Sequence, residues 1–434
     1  MNRLKSRGLF SESAVYLVSN IINAAIPFAL LPVLTRYMSP GEYGQVAMYQ
    51  TLLAALAAVT GVSVHGAAVV KYFDDDITHV DLGHFIGACL QVRAGTTAVV
   101  FVVAFLVRVP LAAWLGLQTE WVLWAVVASA AGFVIQMRLS QWQVRGEAVK
   151  YGALQVVQSL ANAALSLLLV VVLMQGPRGR IDAQNWVLMA ICGISLFLLA
   201  RDRLIGVSWH AGHFREALRF GVPLIPHVAG MFLLNAVDRM MINAQLGLAQ
   251  AGVYMVGVQL TMAMPIVFSA INTAYAPWLY ERLKANDPSE KRRIVKWTYA
   301  YFLIVLVLAG AAFVVGPPIV SLVAGSRYAA AGKTVGWLAL GQAFGGMYLM
   351  VTNYIFYSKR TGALSLATIG SGLLNVALLY FMIGRLGLPG AAMAFALATA
   401  IRFGLTWWVA QRRHPMPWFD LTSAMPQTTP ADAA

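Results

Sequence analysis

The sequence predicts an all-α integral membrane protein with about twelve transmembrane helices, and three observations support this fold class. Hydrophobic side chains make up 59% of the 434 residues and charged ones only 11%, whereas a soluble domain has roughly 25% charged residues. Apolar stretches long enough to cross a hydrocarbon core of roughly 30 Å recur along the chain. Lys and Arg collect at alternate ends of these stretches. This pattern excludes a water-soluble enzyme or a nucleic-acid-binding protein, although the net charge is +14.

The predicted spans are bounded by basic residues, Pro or Gly. The first follows a cationic head, but it exceeds twenty residues and no small-residue cleavage site follows, so it is interpreted as a retained helix. In chain order the twelve spans cover residues 14–36, 45–70, 85–107, 119–137, 152–174, 184–200, 219–244, 250–277, 297–316, 334–356, 363–384 and 389–410.

The basic residues predict the orientation. With the N-terminus in the cytoplasm, 21 of the 31 Lys and Arg fall on the cytoplasmic side and 7 on the other. Lys and Arg in short loops are retained in the cytoplasm. We therefore expect a multi-pass protein with both termini cytoplasmic, and much of the positive charge is explained by topology.

A weak internal repeat divides the chain. Residues 36–44 align with residues 244–252 at an offset of 208, and Asn162 aligns with Asn375 at an offset of 213. Two halves of six spans have the same orientation, which places a substrate site between them. The predicted units are an N-terminal six-helix bundle (1–200), a cytoplasmic linker loop (201–218), a C-terminal six-helix bundle (219–412) and a disordered cytoplasmic tail (413–434).

Three short segments resemble motifs of a known family: residues 31–44, LPVLTRYMSPGEYG, residues 237–239, VDR, and residues 387–392, GLPGAA. That family is the Wzx-type polysaccharide flippases of the MOP superfamily, which has a MATE-like fold. The first-loop signature of that family is similar to residues 31–44, LPVLTRYMSPGEYG. Its second-half motifs are similar to Val237, Asp238 and Arg239 in the seventh span and to residues 387–392, GLPGAA, before the twelfth. The resemblance covers the whole chain in span count and about 25 residues in motifs.

Four charged residues lie inside predicted spans: Arg93, Arg239, Arg402 and Asp238. A charge at the centre of a bilayer costs at least about 2.5 to 3.5 kcal/mol, so each must face a water-filled cavity or a partner. The alternative is an Asp–Arg pair that holds helices together. Because neighbours at i and i+1 do not face each other on a helix, Asp238 is then expected to need a cation on another span.

Uncharged polar residues suggest further substrate contacts. Asn235 lies on the polar face of the seventh span, which Pro223 and Pro226 are expected to bend or break. Asn162 lies in a polar stripe on the fifth span, and Asn23 lies on the first. Such side chains line a wet passage or, alternatively, join helices through hydrogen bonds.

The resemblance implies a flippase that moves an undecaprenyl-diphosphate-linked oligosaccharide across the bacterial inner membrane by alternating access, for O-antigen, lipopolysaccharide or exopolysaccharide synthesis. An arginine can hold the diphosphate in a bidentate manner. The candidate substrate-binding residues are therefore Arg239, Arg93, Arg402, Asn235, Asn162 and Asn23, with Asp238 as the candidate site for proton or sodium coupling. Expected partners are the lipid-linked oligosaccharide, membrane lipids and a polysaccharide polymerase or chain-length regulator. Neither a cofactor nor a metal is expected.

Two other functions predict different features. An ion-coupled multidrug or metabolite antiporter of the same superfamily predicts embedded carboxylates for organic cations, whereas this chain embeds three Arg and one Asp. A membrane polysaccharide polymerase or glycosyltransferase needs an extended outer loop or an acidic catalytic motif, and the sequence has neither. Without a phosphate-binding loop or a catalytic motif, the sequence predicts neither an ATPase nor an enzyme.

Overall fold

The fold is described from a computed structural model, which covers residues 2–60, 64–206, 208–358 and 362–419. Within these ranges the chain is helical and contains no strand. The helices are α1 (Asn2–Tyr37), α2 (Pro40–Thr60), α3 (Val64–Lys71), α4 (His79–Leu115), α5 (Thr119–Val144), α6 (Ala148–Leu167), α7 (Gly176–Arg201), α8 (Ala211–Gly221), α9 (Ile225–Asn235), α10 (Val237–Leu246), α11 (Leu248–Thr261), α12 (Ala263–Ala285), α13 (Pro288–Ala324), α14 (Gly332–Tyr357), α15 (Gly362–Leu386) and α16 (Leu388–Arg413).

The prediction of about twelve membrane-spanning helices is confirmed. Eleven helices of the described chain are long and apolar enough to cross a membrane, and the pair α2 and α3, bent by 55°, makes a twelfth. Several helices are longer than the hydropathy pattern predicted, because charged first and last turns were trimmed from the predicted spans. Helix α7 begins at Gly176 and not near 184, and α4 and α13 each have 37 residues.

The connections between spans alternate between two ends of the bundle. We call the end that carries the connections 71–79, 144–148, 201–211, 285–288 and 357–362 the basic end, since most Lys and Arg lie there, and the other the opposite end. Part of the predicted linker loop is helical, in α8. The predicted tail starts with packed chain, because Met416 and Trp418 are buried and the Tyr299 hydroxyl donates to the Trp418 carbonyl at 2.8 Å. Residues 420–434 lie outside the described residues.

The two segments aligned by the internal repeat contact each other. Helices α2 and α11 pack together at the opposite end through Gly44 and Gly252. A Cβ on Gly252 would lie 2.1 Å from the Pro40 carbonyl oxygen, and one on Gly44 would lie 2.1 Å from the Leu248 carbonyl oxygen. Only glycine therefore allows the two halves to approach this closely.

The seventh span is interrupted at its prolines and again further along the chain. Pro223 lies in a 3₁₀ turn and Pro226 in the first turn of α9, where a missing amide hydrogen costs little. The break is at Ala236, whose φ of −138° and ψ of −24° separate α9 from α10. The expected irregularity at the prolines is thus a short 3₁₀ turn between α8 and α9, and a second break follows about ten residues later.

Candidate functional site

A cavity lies between the two halves. It has a volume of about 290 Å³ and is lined by α1, α2 and α7 of the first half and by α11 and α12 of the second. Most of its lining is apolar. Its polar side chains are Tyr43, Gln50, Arg180 and Gln259.

Arg180 supplies the positive charge of this cavity. It lies in the first turns of α7, about 6 Å along the helix from its start at the opposite end. Its side chain is 8% exposed, and one guanidinium nitrogen donates to Asn162 Oδ1 at 2.9 Å and to Ser166 Oγ at 3.0 Å. Among the described residues it forms no ion pair with a carboxylate. A buried cation held only by neutral oxygens retains its attraction for an anion.

Two hydrogen bonds join the halves beside Arg180. The Tyr43 hydroxyl donates to Gln259 Oε1 at 2.6 Å, and Gln259 Nε2 donates to the Pro27 carbonyl oxygen at 2.7 Å. Two more hydrogen bonds join the halves at the opposite end. The side chains of Arg327 and Tyr328 donate to the carbonyl oxygens of Arg36 and Met38, each at 3.0 Å. These contacts hold the two halves together from the opposite end to the level of Gln259.

The predicted site arginines Arg93 and Arg402 are each buried within one half. Arg93, 3% exposed, donates to Ser129 Oγ at 2.6 Å and to Thr60 Oγ1, both in the first half. Arg402, 6% exposed, lies over the ring of Tyr348 at 4.2 Å, in the second half. The described cavities do not include either side chain, and their role in substrate binding stays a prediction.

The prediction that Asp238 needs a cation on another span is wrong. Arg239 Nη1 lies 3.4 Å from Asp238 Oδ1, although the two residues are neighbours in sequence. The break at Ala236 explains this, because the Arg239 side chain turns back and donates to the Asn235 carbonyl oxygen at 2.6 Å. The Tyr254 hydroxyl on α11 donates to the other carboxylate oxygen of Asp238 at 2.9 Å. Asp238 and Arg239 are thus paired and buried at the break.

The three predicted asparagines are separated. Asn162 holds Arg180, Asn23 accepts a hydrogen bond from Ser159, and the exposed Asn235 donates to the Met231 carbonyl oxygen at 2.9 Å. Asn23 also lines a second, smaller cavity of about 180 Å³ within the first half, together with Gln136, Gln155 and Gln158. The two roles proposed for polar side chains, lining a cavity and joining helices, therefore occur together at Asn23.

The sequence prediction missed Arg180, Tyr43 and Gln259. Arg180 lies before residue 184, where the hydropathy pattern starts the sixth span, so the pattern places it in a loop. A signal was present, since Gly176 and Pro177 start a helix in the usual way, with proline in the first turn. No pattern in the sequence indicated that Tyr43 and Gln259 meet. Within the described ranges, no group of three His, Cys, Asp or Glu is arranged to hold a metal ion.

Comparison with known proteins identifies the family. A family model described as "Polysaccharide biosynthesis protein" matches residues 9–282. The chain belongs to the polysaccharide biosynthesis protein family. Two curated Haemophilus influenzae relatives of this family member are "Lsg locus putative protein 1", 25% identical over 85% of this chain and 90% of the relative, and an "Uncharacterized membrane protein", 23% identical over 83% and 87%.

Solved structures share the fold of this family member. The "Lipid II flippase MurJ, inward closed conformation" has a TM-score of 0.73 at 12% identity and covers 92% of this chain and 87% of that one. An inward-facing multidrug resistance MATE family transporter of the MOP superfamily has a TM-score of 0.60 at 16% identity, covering 91% and 97%. The predicted MATE-like fold is confirmed.

Proposed function

We propose that this protein is a flippase that moves an undecaprenyl-diphosphate-linked oligosaccharide from the cytoplasmic to the outer leaflet of a bacterial inner membrane. In this proposal the basic end is cytoplasmic, as the excess of Lys and Arg in its loops supports. The oligosaccharide serves surface polysaccharide synthesis, such as O-antigen, lipopolysaccharide or exopolysaccharide. The two halves move relative to each other around the cavity between them.

The observation that carries this proposal is the buried Arg180 in the cavity between the halves. A diphosphate is a fixed anion, and a guanidinium binds it through two parallel hydrogen bonds. Because Arg180 lies near the opposite end, it engages the diphosphate late in the passage toward the outer leaflet. Its neutral partners Asn162 and Ser166 orient it without neutralising it.

Arg239, Arg93, Arg402, Asn235, Asn162 and Asn23 remain candidate substrate contacts in this mechanism. Arg93, Arg239 and Arg402 are buried in the present arrangement, so their contribution requires movement that admits water or substrate. Asp238 is the candidate for proton or sodium coupling. Its carboxylate is paired with Arg239. Transport that ignored both a proton and a sodium gradient would remove the coupling proposal.

The rival function is drug or metabolite antiport, which the MATE-like fold also accommodates. An organic cation needs an unpaired embedded carboxylate, whereas Asp238 is bound by Arg239 and Tyr254. Arg180, in addition, would repel a cation from the cavity between the halves. We therefore favour an anionic cargo.

The test uses the full chain in vesicles that contain an undecaprenyl-diphosphate-linked oligosaccharide with a fluorophore on the sugar. A membrane-impermeant quencher added outside reports the rate at which the labelled sugar crosses. Replacing Arg180 with Gln removes charge-assisted hydrogen bonds worth about 1.5 to 3 kcal/mol. If they form in the transition state for crossing, the initial rate falls about 10- to 100-fold.

The matched control is Arg178→Gln, two residues away. Arg178 is 60% exposed and pairs with Glu120 and Asp182 at the surface, so its loss should leave the rate within about twofold. A wild-type protein that moved ethidium but no lipid-linked sugar would replace the flippase proposal with antiport. Flipping that continued at full rate in Arg180→Gln would remove Arg180 from the mechanism.

A further inference from the structure

An open groove runs along the outer face of α8 at the basic end. Its volume is about 590 Å³, and its apolar walls include Trp209, Phe214, Leu218 and Val222. Trp209 is 65% exposed and Val222 is 49% exposed, so the groove lies on the surface. Helix α8 packs on α3 and α4, with Ala217 buried and Phe214 and Leu218 partly buried, which leaves Arg215, Arg219 and Val222 on its exposed side.

The groove is positively charged. Arg215 and Arg219 line it, both are exposed, and neither forms an ion pair among the described residues. They are four residues apart on a helix and therefore lie on one face, about 6 Å apart along the axis. Glu216 is the one acidic residue of α8, and it binds Lys71 of α3 at 2.9 Å on the packed face. The groove face of α8 thus carries two cations and no acid.

The position of the groove matches the edge of a membrane. Residues 211–235 form one continuous helical candidate for a membrane span, so α8 leads directly into the seventh span. Arg219 comes one turn before the apolar run that begins at Val222. An exposed Trp and two Arg beside a span are typical of the headgroup level of a bilayer.

We propose that this groove binds one acidic phospholipid of the leaflet at the basic end. The phosphate lies between the guanidinium groups of Arg215 and Arg219, and an acyl chain lies against Leu218 and Val222. Charge complementarity favours an acidic lipid over a zwitterionic one, because each basic residue near a membrane surface adds to the attraction. The bound lipid anchors the connection between the two halves. This anchoring is separate from the flipping reaction, since no step of that reaction requires it.

The experiment places the full chain in nanodiscs that contain either brominated phosphatidylglycerol or brominated phosphatidylcholine at equal mole fraction in an otherwise unbrominated bilayer. Bromine quenches a nearby indole, and the signal of Trp209 is obtained by comparison with Trp209→Phe. We expect the phosphatidylglycerol arm to quench Trp209 at least about twofold more strongly. In the double variant Arg215→Gln with Arg219→Gln, the relative affinity for phosphatidylglycerol should fall on the order of tenfold.

Two further variants separate charge from folding. Arg201→Gln with Lys284→Gln removes the same charge from exposed positions outside the groove and should keep the preference. Arg215→Lys with Arg219→Lys retains the charge and should keep most of it. Equal quenching by the two lipids in the wild type would overturn the proposal, as would a preference that persists in the double Gln variant. Displacement of phosphatidylglycerol by an equimolar amount of undecaprenyl phosphate would overturn it in favour of the cargo lipid.

Discussion

At the scale of single residues, the sequence predicted some of the buried arginines and missed others. Arg93, Arg239 and Arg402 were predicted from the sequence because they interrupt long apolar stretches. Arg138 and Arg180 were missed because each lies within a few residues of a predicted span end, where hydropathy favours a loop. Yet Arg138 is buried in α5 against Asp202 at 2.5 Å, whereas Arg180 is buried in α7 and pairs with no carboxylate in the described part of the chain. Arg138 and Arg180 therefore differ in whether the partner is a carboxylate or a neutral oxygen, and hydropathy carries no information about partners.

Replacing Asn162 with Asp tests whether Arg180 acts through its free charge. Asn162 Oδ1 already lies 2.9 Å from the guanidinium, so an aspartate there forms an ion pair without rearrangement. An ion pair at this position should leave the melting temperature in detergent unchanged or raise it, since the buried cation gains a counter-ion. The flipping rate should nevertheless fall about tenfold or more, because the diphosphate no longer meets an uncompensated charge.

The control for this prediction is Gln118→Glu, which introduces the same charge at an exposed position at the opposite end, where the Gln118 side chain makes no capping hydrogen bond. It should leave flipping within about twofold. A stable Asn162→Asp protein that flips at the wild-type rate would show that the charge of Arg180 is not used.

At the scale of elements, the broken seventh span shows why one helix interruption was only partly predictable. Pro223 and Pro226 predicted an irregular helix, and the sequence pattern also predicted which residues form its polar face. The break itself is at Ala236, where the released carbonyl oxygens find donors: Asn375 Nδ2 donates to Leu233 at 2.9 Å, and Arg239 donates to Asn235 at 2.6 Å. Unpaired carbonyl groups at a helix end are costly when buried. Asn375 is 142 residues away from Leu233 in the chain, so local sequence could not predict this cap.

Asn375→Ala should therefore destabilise the protein by about 1 to 3 kcal/mol, because it leaves carbonyl oxygens at the end of α9 without a donor. The free energy of unfolding in mixed detergent micelles measures this loss. The control is Ser371→Ala, one turn earlier on α15, whose equally buried hydroxyl donates only to the Ala367 carbonyl of its own helix at 2.7 Å. Ser371→Ala should cost less than about 1 kcal/mol, and equal losses for the two variants would contradict the capping role of Asn375.

At the scale of the whole molecule, the internal repeat proved more informative than its few identities suggested. The alignment that paired Gly44 with Gly252 rested on a helix end, a polar turn and a glycine at the start of the next helix. In the fold these two glycines are in contact and let α2 and α11 cross at the opposite end. The sequence could predict two equivalent segments, since each half repeats the same local signals. It could not predict that these segments meet, because their contact depends on how the halves are docked.

Gly252→Val should open this contact. A Cβ at residue 252 lies 2.1 Å from the Pro40 carbonyl oxygen and 2.6 Å from the Gly44 amide nitrogen, and backbone atoms cannot yield as a flexible side chain can. The halves must separate at the opposite end, which also strains the hydrogen bond between Tyr43 and Gln259. Spin labels on cysteines placed at the exposed residues Gln118 and Lys333, one in each half, report the separation after Cys89 and Cys192 are replaced by Ala. Longer distances should become the major population, and flipping should fall about tenfold or more if closure at this end belongs to the transport cycle.

Gly310→Val is the matched control, because nothing lies within 4 Å of a Cβ at that position. Distance distributions that are the same in both valine variants would show that the glycine contact does not hold the halves together.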